Sequence, residues 1–309
     1  MRWIGALVGV FALACGGEGS DPAIRLGYFP NVTHSQALIG IARGDFGKVK
    51  PIVFNAGPSV IEALFAGDVD LAYVGPNPAI NGYVQSHGEA LRIVAGATSG
   101  GAALVVRKGV QNLNGRKLAS PQLGNTQDVA LRRYLAADGI KAEVVPTPNA
   151  QIVDLFRRGD VDGAWVPEPW VSRLVVEAGG VVLVDERTLW PHGDFVTAQV
   201  IASTKFLKAH PDRVRRFLAA HVAITRWELA HPAEARAIVN GEIKRLTGKK
   251  LADRVLASAW EHMRPTWDPI APSLRASADA AYAAHFLRVR PNLDGIYDLR
   301  ILNEVVASP

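Results

Sequence analysis

Cysteine is almost missing from this chain, since Cys15 is the only one among its 309 residues. The residues after Cys15 therefore contain no internal disulfide, no cysteine-ligated metal cluster and no thiol nucleophile. Their stability has to come from a hydrophobic core. The length is sufficient for two compact units of ordinary size.

The sequence motifs of common enzymes are also missing. G-x-S-x-G, H-E-x-x-H and G-x-G-x-x-G do not occur, and the spacing of Gly241 and Gly248 does not fit a phosphate-binding loop. We therefore expect no catalytic residue, no cofactor and no bound metal. The polar end Asn303–Pro309 supplies no membrane-spanning helix after the domain, which argues against the ligand-sensing module of a transmembrane receptor.

Charge is in mild positive excess. The formal net charge of +5 is spread along the chain, so it favours an anionic ligand only weakly. Lys244, Arg245, Lys249 and Lys250 come closest to a basic cluster, and we interpret them as a solvated helix face. No nucleic-acid partner is expected.

The first residues have the layout of a secretory signal. Arg2 is followed by the apolar run Trp3–Ala14 and then by Cys15 in a segment of small residues. The segment Ala12–Cys15 resembles a bacterial lipobox, in which cleavage leaves a lipidated cysteine at the new N-terminus. We predict a signal peptide over 1–14, a lipidated Cys15 with a flexible linker over 15–23, and an extracytoplasmic or periplasmic lipoprotein anchored to the membrane. An ordinary signal peptide is the alternative.

Short apolar strands, turns and amphipathic helices alternate from Ile24 onward, which is typical of α/β architecture with parallel strands. The strands are predicted over Ile24–Tyr28, Ile52–Asn55, Leu71–Val74, Arg92–Ala97, Ala102–Arg107, Lys117–Ala119, Glu143–Pro146, Gly163–Val166, Val181–Val184 and Thr197–Ala202. After about residue 204 only helices are predicted, over Thr204–His210, Pro211–His231, Pro232–Thr247, Leu251–Met263 and Pro272–Phe286.

One segment is repeated. Gly67–Val74 and Gly159–Val166 agree at six of eight positions. A repeat with so long a period indicates a duplicated half-domain and not a solenoid, although chance similarity is the alternative. We predict one lobe over 24–105 and 199–309 and a second lobe over 106–198.

The turns between strands and helices carry the candidate ligand contacts. In open α/β sheets these turns lie at the carboxyl edge, where ligands bind. Helix N-termini there offer N–H groups and partial positive charge to an anion, although helix capping explains part of the pattern. The candidates are Asn31, His34, Gly57, Pro58, Gly75, Pro76, Asn77, Ser99, Gly124, Asn125, Thr126, Gln127, Trp165 and Glu168.

One segment and three single residues among these candidates have specific expected roles. The strongest segment is Gly124–Gln127, where two side-chain amides and a hydroxyl can reach anion oxygens. His34 either contacts the ligand or caps the helix that starts at Ser35. Trp165 is expected in the wall of the cleft. Glu168 either hydrogen-bonds a ligand amine or hydroxyl, or complements the dipole of the helix after it.

Four segments together resemble the nitrate, sulfonate and taurine group of ABC-transporter solute-binding proteins: Gly27–His34, Gly57–Ser59, Gly67–Asp70 and Asp162–Pro169. The resemblance runs from about residue 24 to about 230. It implies a two-lobed fold of the type II periplasmic-binding-protein class, with two open mixed sheets and a ligand cleft between them. It also implies a monomer that closes about a hinge and delivers its ligand to an ABC permease in the inner membrane.

The resemblance places a sulfonate-type site on Gly75–Asn77 and Asn125–Gln127. Members that bind anions through hydroxyl pairs have Ser or Thr where this chain has Asn125, so the identity of the anion stays open. No acid lies on Thr197–Ala202, and taurine is therefore not the first expectation. The alternatives are a thiamine-precursor-type binding protein or enzyme of the same fold, and a sensor that docks to a separate receptor.

Overall fold

The computed structural model describes residues 22–308. The predicted signal peptide and Cys15 lie outside these residues. In chain order the strands are β1 (Ile24–Tyr28), β2 (Val49–Val53), β3 (Leu71–Val74), β4 (Leu91–Gly100), β5 (Ala102–Val106), β6 (Lys117–Ser120), β7 (Glu143–Pro146), β8 (Gly163–Pro167), β9 (Val181–Asp185), β10 (Val196–Ser203) and β11 (Met263–Pro265).

The helices cover both sheets. They are α1 (Ser35–Arg43), α2 (Gly57–Phe65), α3 (Pro76–Gln85), α4 (Thr126–Ala137), α5 (Asn149–Arg158), α6 (Trp170–Ala178), α7 (Thr204–Ala209), α8 (Pro211–Ala230), α9 (Pro232–Thr247), α10 (Asp253–His262), α11 (Ala271–Ala283) and α12 (Arg300–Ala307). Short 3-10 turns lie at Val32–His34, Glu186–Leu189 and Pro191–Gly193. No helix within 22–308 is long and apolar enough to cross a bilayer.

The strands form two mixed sheets. The first has the order β11-β4-β10-β3-β1-β2, and the second has the order β7-β6-β8-β5-β9. In the first sheet β1 pairs parallel with β2 and β3, whereas β10 runs antiparallel to β3 and β4. In the second sheet β6 pairs parallel with β7 and β8, whereas β5 is antiparallel to β8 and β9. The predicted α/β class with two open mixed sheets is confirmed.

Apolar side chains cover both faces of the central strands. On the first sheet one cluster includes Leu38, Phe217 and Val239, and the other includes Ile80 and Leu274. Strand β3 is buried along its whole length, as expected of a strand with helices on both faces. The helices therefore hold the strand-to-helix turns in fixed positions at the sheet edge.

The chain crosses between the sheets twice. The first crossing is Gly100-Gly101, where both φ angles are positive, 74° and 75°, a conformation that glycine adopts without steric cost. The second crossing runs from Asp185 to Val196. The lobe limits predicted at 105 and 198 fall inside strands β5 and β10, so we place the limits of the two units at these crossings.

The region after residue 204 departs from the prediction. β11 is a strand and pairs antiparallel with β4, so the expectation that strands stop there was wrong. Its three residues are too few to show an alternating pattern. Helix α12 was also missed, because the polar character of the chain end hid the apolar side chains of Ile301, Leu302 and Val305.

Candidate ligand-binding cleft

A recess of about 760 Å³ lies between the two sheets. Phe29–Asn31 and Phe54-Asn55 line it from the first sheet, and Pro148–Gln151 and Pro169-Trp170 line it from the second. These segments follow β1, β2, β7 and β8, so they are strand-to-helix turns at the carboxyl ends of parallel strands. The recess thus lies at the sheet edge where open α/β sheets bind ligands.

Each sheet contributes a buried amide group to this recess. The Oδ1 atoms of Asn31 and Asn149 are both buried without a hydrogen-bond partner. A buried polar atom without a partner is costly, and both oxygens are acceptors, so a ligand satisfies them only through donor groups of its own. Asn31 was a sequence candidate. Asn149 was missed, because its position at the start of α5 is equally well explained by helix formation.

The starts of helices α3 and α4 face each other from different sheets. Gly75 precedes α3, and a methyl group there would overlap the Thr126 hydroxyl at the start of α4. Thr126 Oγ1 is buried and has no hydrogen-bond partner. The first N–H groups of a helix have no partner within the helix. Backbone N–H groups and a free hydroxyl therefore converge where the two units touch.

Helix α3 contributes fewer N–H groups than an ordinary helix start, because Pro76 and Pro78 carry none. Asn77 lies between them and is buried, and its Nδ2 donates to the Ser277 carbonyl oxygen at 3.3 Å. The backbone N–H of Asn77 is thus the main donor of this turn. Pro76 acts by fixing the backbone of the first helical turn.

The turn before α4 is stabilised from within. Asp128 accepts hydrogen bonds from Ser120 Oγ at 2.6 Å and from the Gly124 N–H at 3.0 Å. Asn125 Oδ1 accepts from the Thr126 N–H at 2.9 Å. The Asn125 side-chain oxygen therefore caps α4, and only the Nδ2 group of the same side chain is left to donate to an anion. Gln127 is buried in the same turn.

His34 makes no side-chain capping hydrogen bond at the start of α1, so the capping alternative is not borne out. Its Nδ1 accepts the Phe29 N–H at 3.1 Å, and its ring stacks on Phe29 with centroids 4.5 Å apart. Burial lowers the pKa of His34 to about 3. The ring is neutral and holds the turn after β1, so it offers no positive charge to an anion.

Glu168 contacts the start of the helix that follows it. It is fully buried, and it accepts hydrogen bonds from Ser172 N at 3.0 Å and Ser172 Oγ at 2.9 Å at the start of α6. His262 Nδ1, on the helix that leads into β11, lies 3.4 Å from Glu168 Oε1. This carboxylate raises the pKa of His262. Glu168 therefore links the two units rather than facing a ligand.

Three further candidates have structural contacts. Ser99 Oγ donates to Asp194 Oδ1 at 3.2 Å beside the crossings. A methyl group at Gly57 would overlap Pro78, so this glycine allows α2 to approach α3. Pro58 lies in the first turn of α2. The geometry gives none of the three a position against a ligand.

Trp165 lines a second cavity, of about 250 Å³, together with Asn77 and Thr126. The indole is fully buried, and its Nε1 donates to Glu186 Oε2 at 2.7 Å. Burial raises the pKa of Glu186 to about 7. Sequence reasoning missed Glu186, because it lies in the irregular crossing and not in a strand-to-helix turn.

Other residues at the cleft were missed or interpreted differently. Lys249 and Lys250 line the 760 Å³ recess, although their sequence pattern suggested only a solvated face. Gln199 lies in β10 beside Val74, and both of its amide atoms are buried without a partner. No group of three His, Cys, Asp or Glu side chains within 22–308 is arranged to hold a metal ion.

Two mixed α/β sheets joined by two crossings, with helix starts facing each other across a cleft, define the two-lobed fold of periplasmic solute-binding proteins. The model of the NMT1-like family matches residues 17–241. The chain belongs to this family.

Relatives and solved structures agree with this assignment. A taurine-binding periplasmic protein of Escherichia coli K12 is 29% identical over 185 residues, which are 58% of this chain and 57% of that protein. The chain thus aligns with less than two thirds of this relative. The alkanesulfonate-binding protein SsuA from Xanthomonas axonopodis pv. citri bound to MOPS has 21% identity and a TM-score of 0.74, covering 90% of this chain and 99% of SsuA.

A third protein shares the fold. The periplasmic nitrate-binding protein NrtA from Synechocystis PCC 6803 is 15% identical with a TM-score of 0.74, and the match covers 93% of this chain and 89% of NrtA. The predicted membership in the nitrate, sulfonate and taurine group is confirmed.

Proposed function

We propose that this protein is an extracytoplasmic solute-binding protein of an ABC importer, which captures a small anion between its two lobes and catalyses no reaction. One observation carries the proposal. Thr126 Oγ1 at the start of α4 is buried without a partner where that helix meets Gly75 at the start of α3. Helix starts favour negative charge, and hydrogen bonds to a charged group are stronger than those between neutral groups.

The charges of the 760 Å³ recess, a different cavity from the one that Thr126 lines, also favour an anionic ligand. Lys249 and Lys250 line the recess, and Glu177, which also lines it, is paired with Arg173 at 3.1 Å. The cationic groups exceed the free anionic groups there. A positive rim raises the local concentration of an anion and speeds its entry.

A sulfonate is the first candidate ligand, because relatives named for taurine and alkanesulfonates match this chain. Strand β10, which returns the chain to the first sheet, carries no acid and has Gln199 near its middle. A ligand ammonium group finds no counter-charge on that strand. A sulfonate without an amine is therefore preferred to taurine.

Capture involves closure about the two crossings. One lobe consists of residues 24–100 with 196–308 and the other of residues 102–185, with Gly100-Gly101 as one hinge strand. Ser172 Oγ of α6 and Ser258 Oγ of α10, 2.9 Å apart, form one contact between the two lobes. A ligand drives closure only if it contacts both lobes.

The protein is further proposed to be anchored to the membrane and to deliver its ligand to an ABC permease. Lipidation of Cys15 would tether the mature protein to the membrane, as a monomer, close to the permease that receives the ligand. The two lobes would then present the cleft to the permease.

A thermal-shift screen tests this function. The chain from Ser20 onward, which contains both sheets, is screened against sulfonates, sulfate esters, phosphonates, nitrate, bicarbonate and carboxylates. A true ligand at a hundredfold its dissociation constant adds about 2.7 kcal/mol to the free energy of unfolding. Thr126→Val should abolish most of the shift, and Glu143→Gln, at an exposed glutamate on β7, serves as the control. No shift with any anion would contradict the proposal.

A further inference from the structure

Four aromatic side chains lie among the residues that line the 250 Å³ cavity. Tyr134, Trp165, Trp190 and Phe195 line it, and the rings of Trp190 and Phe195 stack with centroids 5.7 Å apart and an interplanar angle of 13°. An apolar cavity of about 150 Å³ already accepts benzene. This cavity therefore has room for one aromatic ring with substituents.

One buried carboxylate lies within these walls, whereas the second carboxylate of the lining, Asp138, is exposed. Glu186 is 3% exposed and lines the cavity. Its Oε2 accepts the Trp165 indole N–H at 2.7 Å, and its Oε1 accepts the Trp190 indole N–H at the longer distance of 3.4 Å. Each carboxylate oxygen can accept more than one hydrogen bond. Glu186 is thus held in place by two indoles and retains acceptor capacity for a ligand donor.

The same cavity includes donors suited to an anion. Asn77 and Thr126 line it at the starts of α3 and α4, and Thr126 Oγ1 is buried without a partner. A single cavity therefore contains an anion-type donor set, four aromatic side chains and a buried carboxylate acceptor. A short alkyl anion would contact neither the aromatic side chains nor Glu186, so it would bind less tightly than a ligand that contacts both.

We propose that the ligand is an aromatic sulfonate-type anion whose single ring occupies this cavity and whose hydroxyl or amino group donates a hydrogen bond to Glu186. This inference rests on the proposed function, since it places the anion at the helix starts of Asn77 and Thr126. Arg133, whose guanidinium lies 5.1 Å from the Trp190 ring centroid, adds a cation to the cavity lining.

Calorimetric titration with four defined probes tests the inference. The probes are 4-hydroxybenzenesulfonate, benzenesulfonate, methanesulfonate and neutral 4-methylphenol. We expect 4-hydroxybenzenesulfonate to bind about tenfold or more tightly than benzenesulfonate, because it alone of the two gives Glu186 a donor, and methanesulfonate to bind weakest.

Variants test which side chains of the cavity cause the preference for a hydroxylated aromatic sulfonate. Glu186→Gln should remove most of the preference for the hydroxyl group while changing benzenesulfonate affinity by less than about threefold. Trp190→Leu should weaken both aromatic sulfonates and leave methanesulfonate unchanged. Glu143→Gln is the matched control, because its carboxylate is exposed on β7 and lies 3.8 Å from Lys117 Nζ. The ratio of two affinities within one variant is insensitive to a partial loss of folded protein.

The results distinguish failure of the cavity inference from failure of the proposed function. Equal affinity for methyl and aromatic sulfonates, unchanged in Glu186→Gln and Trp190→Leu, would overturn the cavity inference and leave the proposed function standing. Binding of 4-methylphenol that depends on Glu186, without any preference for sulfonates, would overturn the proposed function and with it the anionic half of the inference. Absence of binding by all four probes would overturn the cavity inference, and the thermal-shift screen with the other anions would then decide the proposed function.

Discussion

Replacing Gly75 with alanine tests whether the helix starts must touch for a ligand to be held. The backbone at Gly75 has φ −71°, which any residue adopts, so the substitution introduces no backbone strain. The added methyl group would overlap Thr126 Oγ1, whereas Thr126 Cβ and the Thr197 carbonyl oxygen lie at 3.4 and 3.5 Å from its position. The conflict is therefore with a single hydroxyl of the other lobe.

Overpacking of this kind costs roughly 1–3 kcal/mol. Because the penalty falls on the closed arrangement, the dissociation constant of the ligand should rise about 5- to 150-fold. Stability without ligand should stay the same or increase by about 0.4–1 kcal/mol, since alanine restricts the unfolded chain. Calorimetry measures the affinity, and urea unfolding measures the stability.

The variant Gly75→Ala/Thr126→Ala separates steric conflict from other effects. Removal of Oγ1 relieves the overlap, so the double variant should bind about as tightly as Thr126→Ala alone. If Gly75→Ala binds as tightly as the unaltered protein, contact between these helix starts does not contribute to ligand capture, and the reasoning is refuted.

The remaining predictions concern the cap, pH and the anchor. Asn125→Leu should lower the free energy of unfolding by about 1 kcal/mol through loss of the cap, while Thr126→Val should weaken ligand binding at least about tenfold in calorimetry; the opposite pattern would restore Asn125 as a ligand contact. Burial raises the pKa of Glu228 from its ordinary value of 4.5 to about 8, so the folded state retains a proton that the unfolded chain releases, and stability should fall as pH rises through that window. Glu228→Gln should remove a fall of roughly 4 kcal/mol between pH 5 and pH 8 in urea unfolding, and an unchanged slope would show that Glu228 is not buried as described. Cys15→Ser should release the protein from the membrane fraction, and continued membrane attachment would exclude the predicted lipid anchor.

The sequence was most informative where local patterns determine structure. β1, β3 and β7 begin and end where predicted, because apolar runs are bounded by Gly, Pro and Asn turns. The predicted Ile52–Asn55 strand was displaced, since β2 occupies Val49–Val53. Its exposed edge position weakens the apolar pattern that marks buried strands.

The sequence was least informative about which side chains meet across the cleft. Glu168 contacts His262 from the other unit, and no local pattern relates residues so far apart. The same applies to Gly75 with Thr126, whose proximity depends on how the two sheets are placed. His34 and Asn125 had the residue types of ligand contacts, but their hydrogen bonds are made to neighbouring backbone N–H groups.

Small-angle X-ray scattering with and without a saturating sulfonate tests the central claim most directly. If the two lobes close on an anion bound between the starts of α3 and α4, the radius of gyration decreases on ligand addition, and the decrease is smaller in Gly75→Ala. An unchanged radius in the presence of a ligand that calorimetry shows to be bound would contradict capture between the lobes.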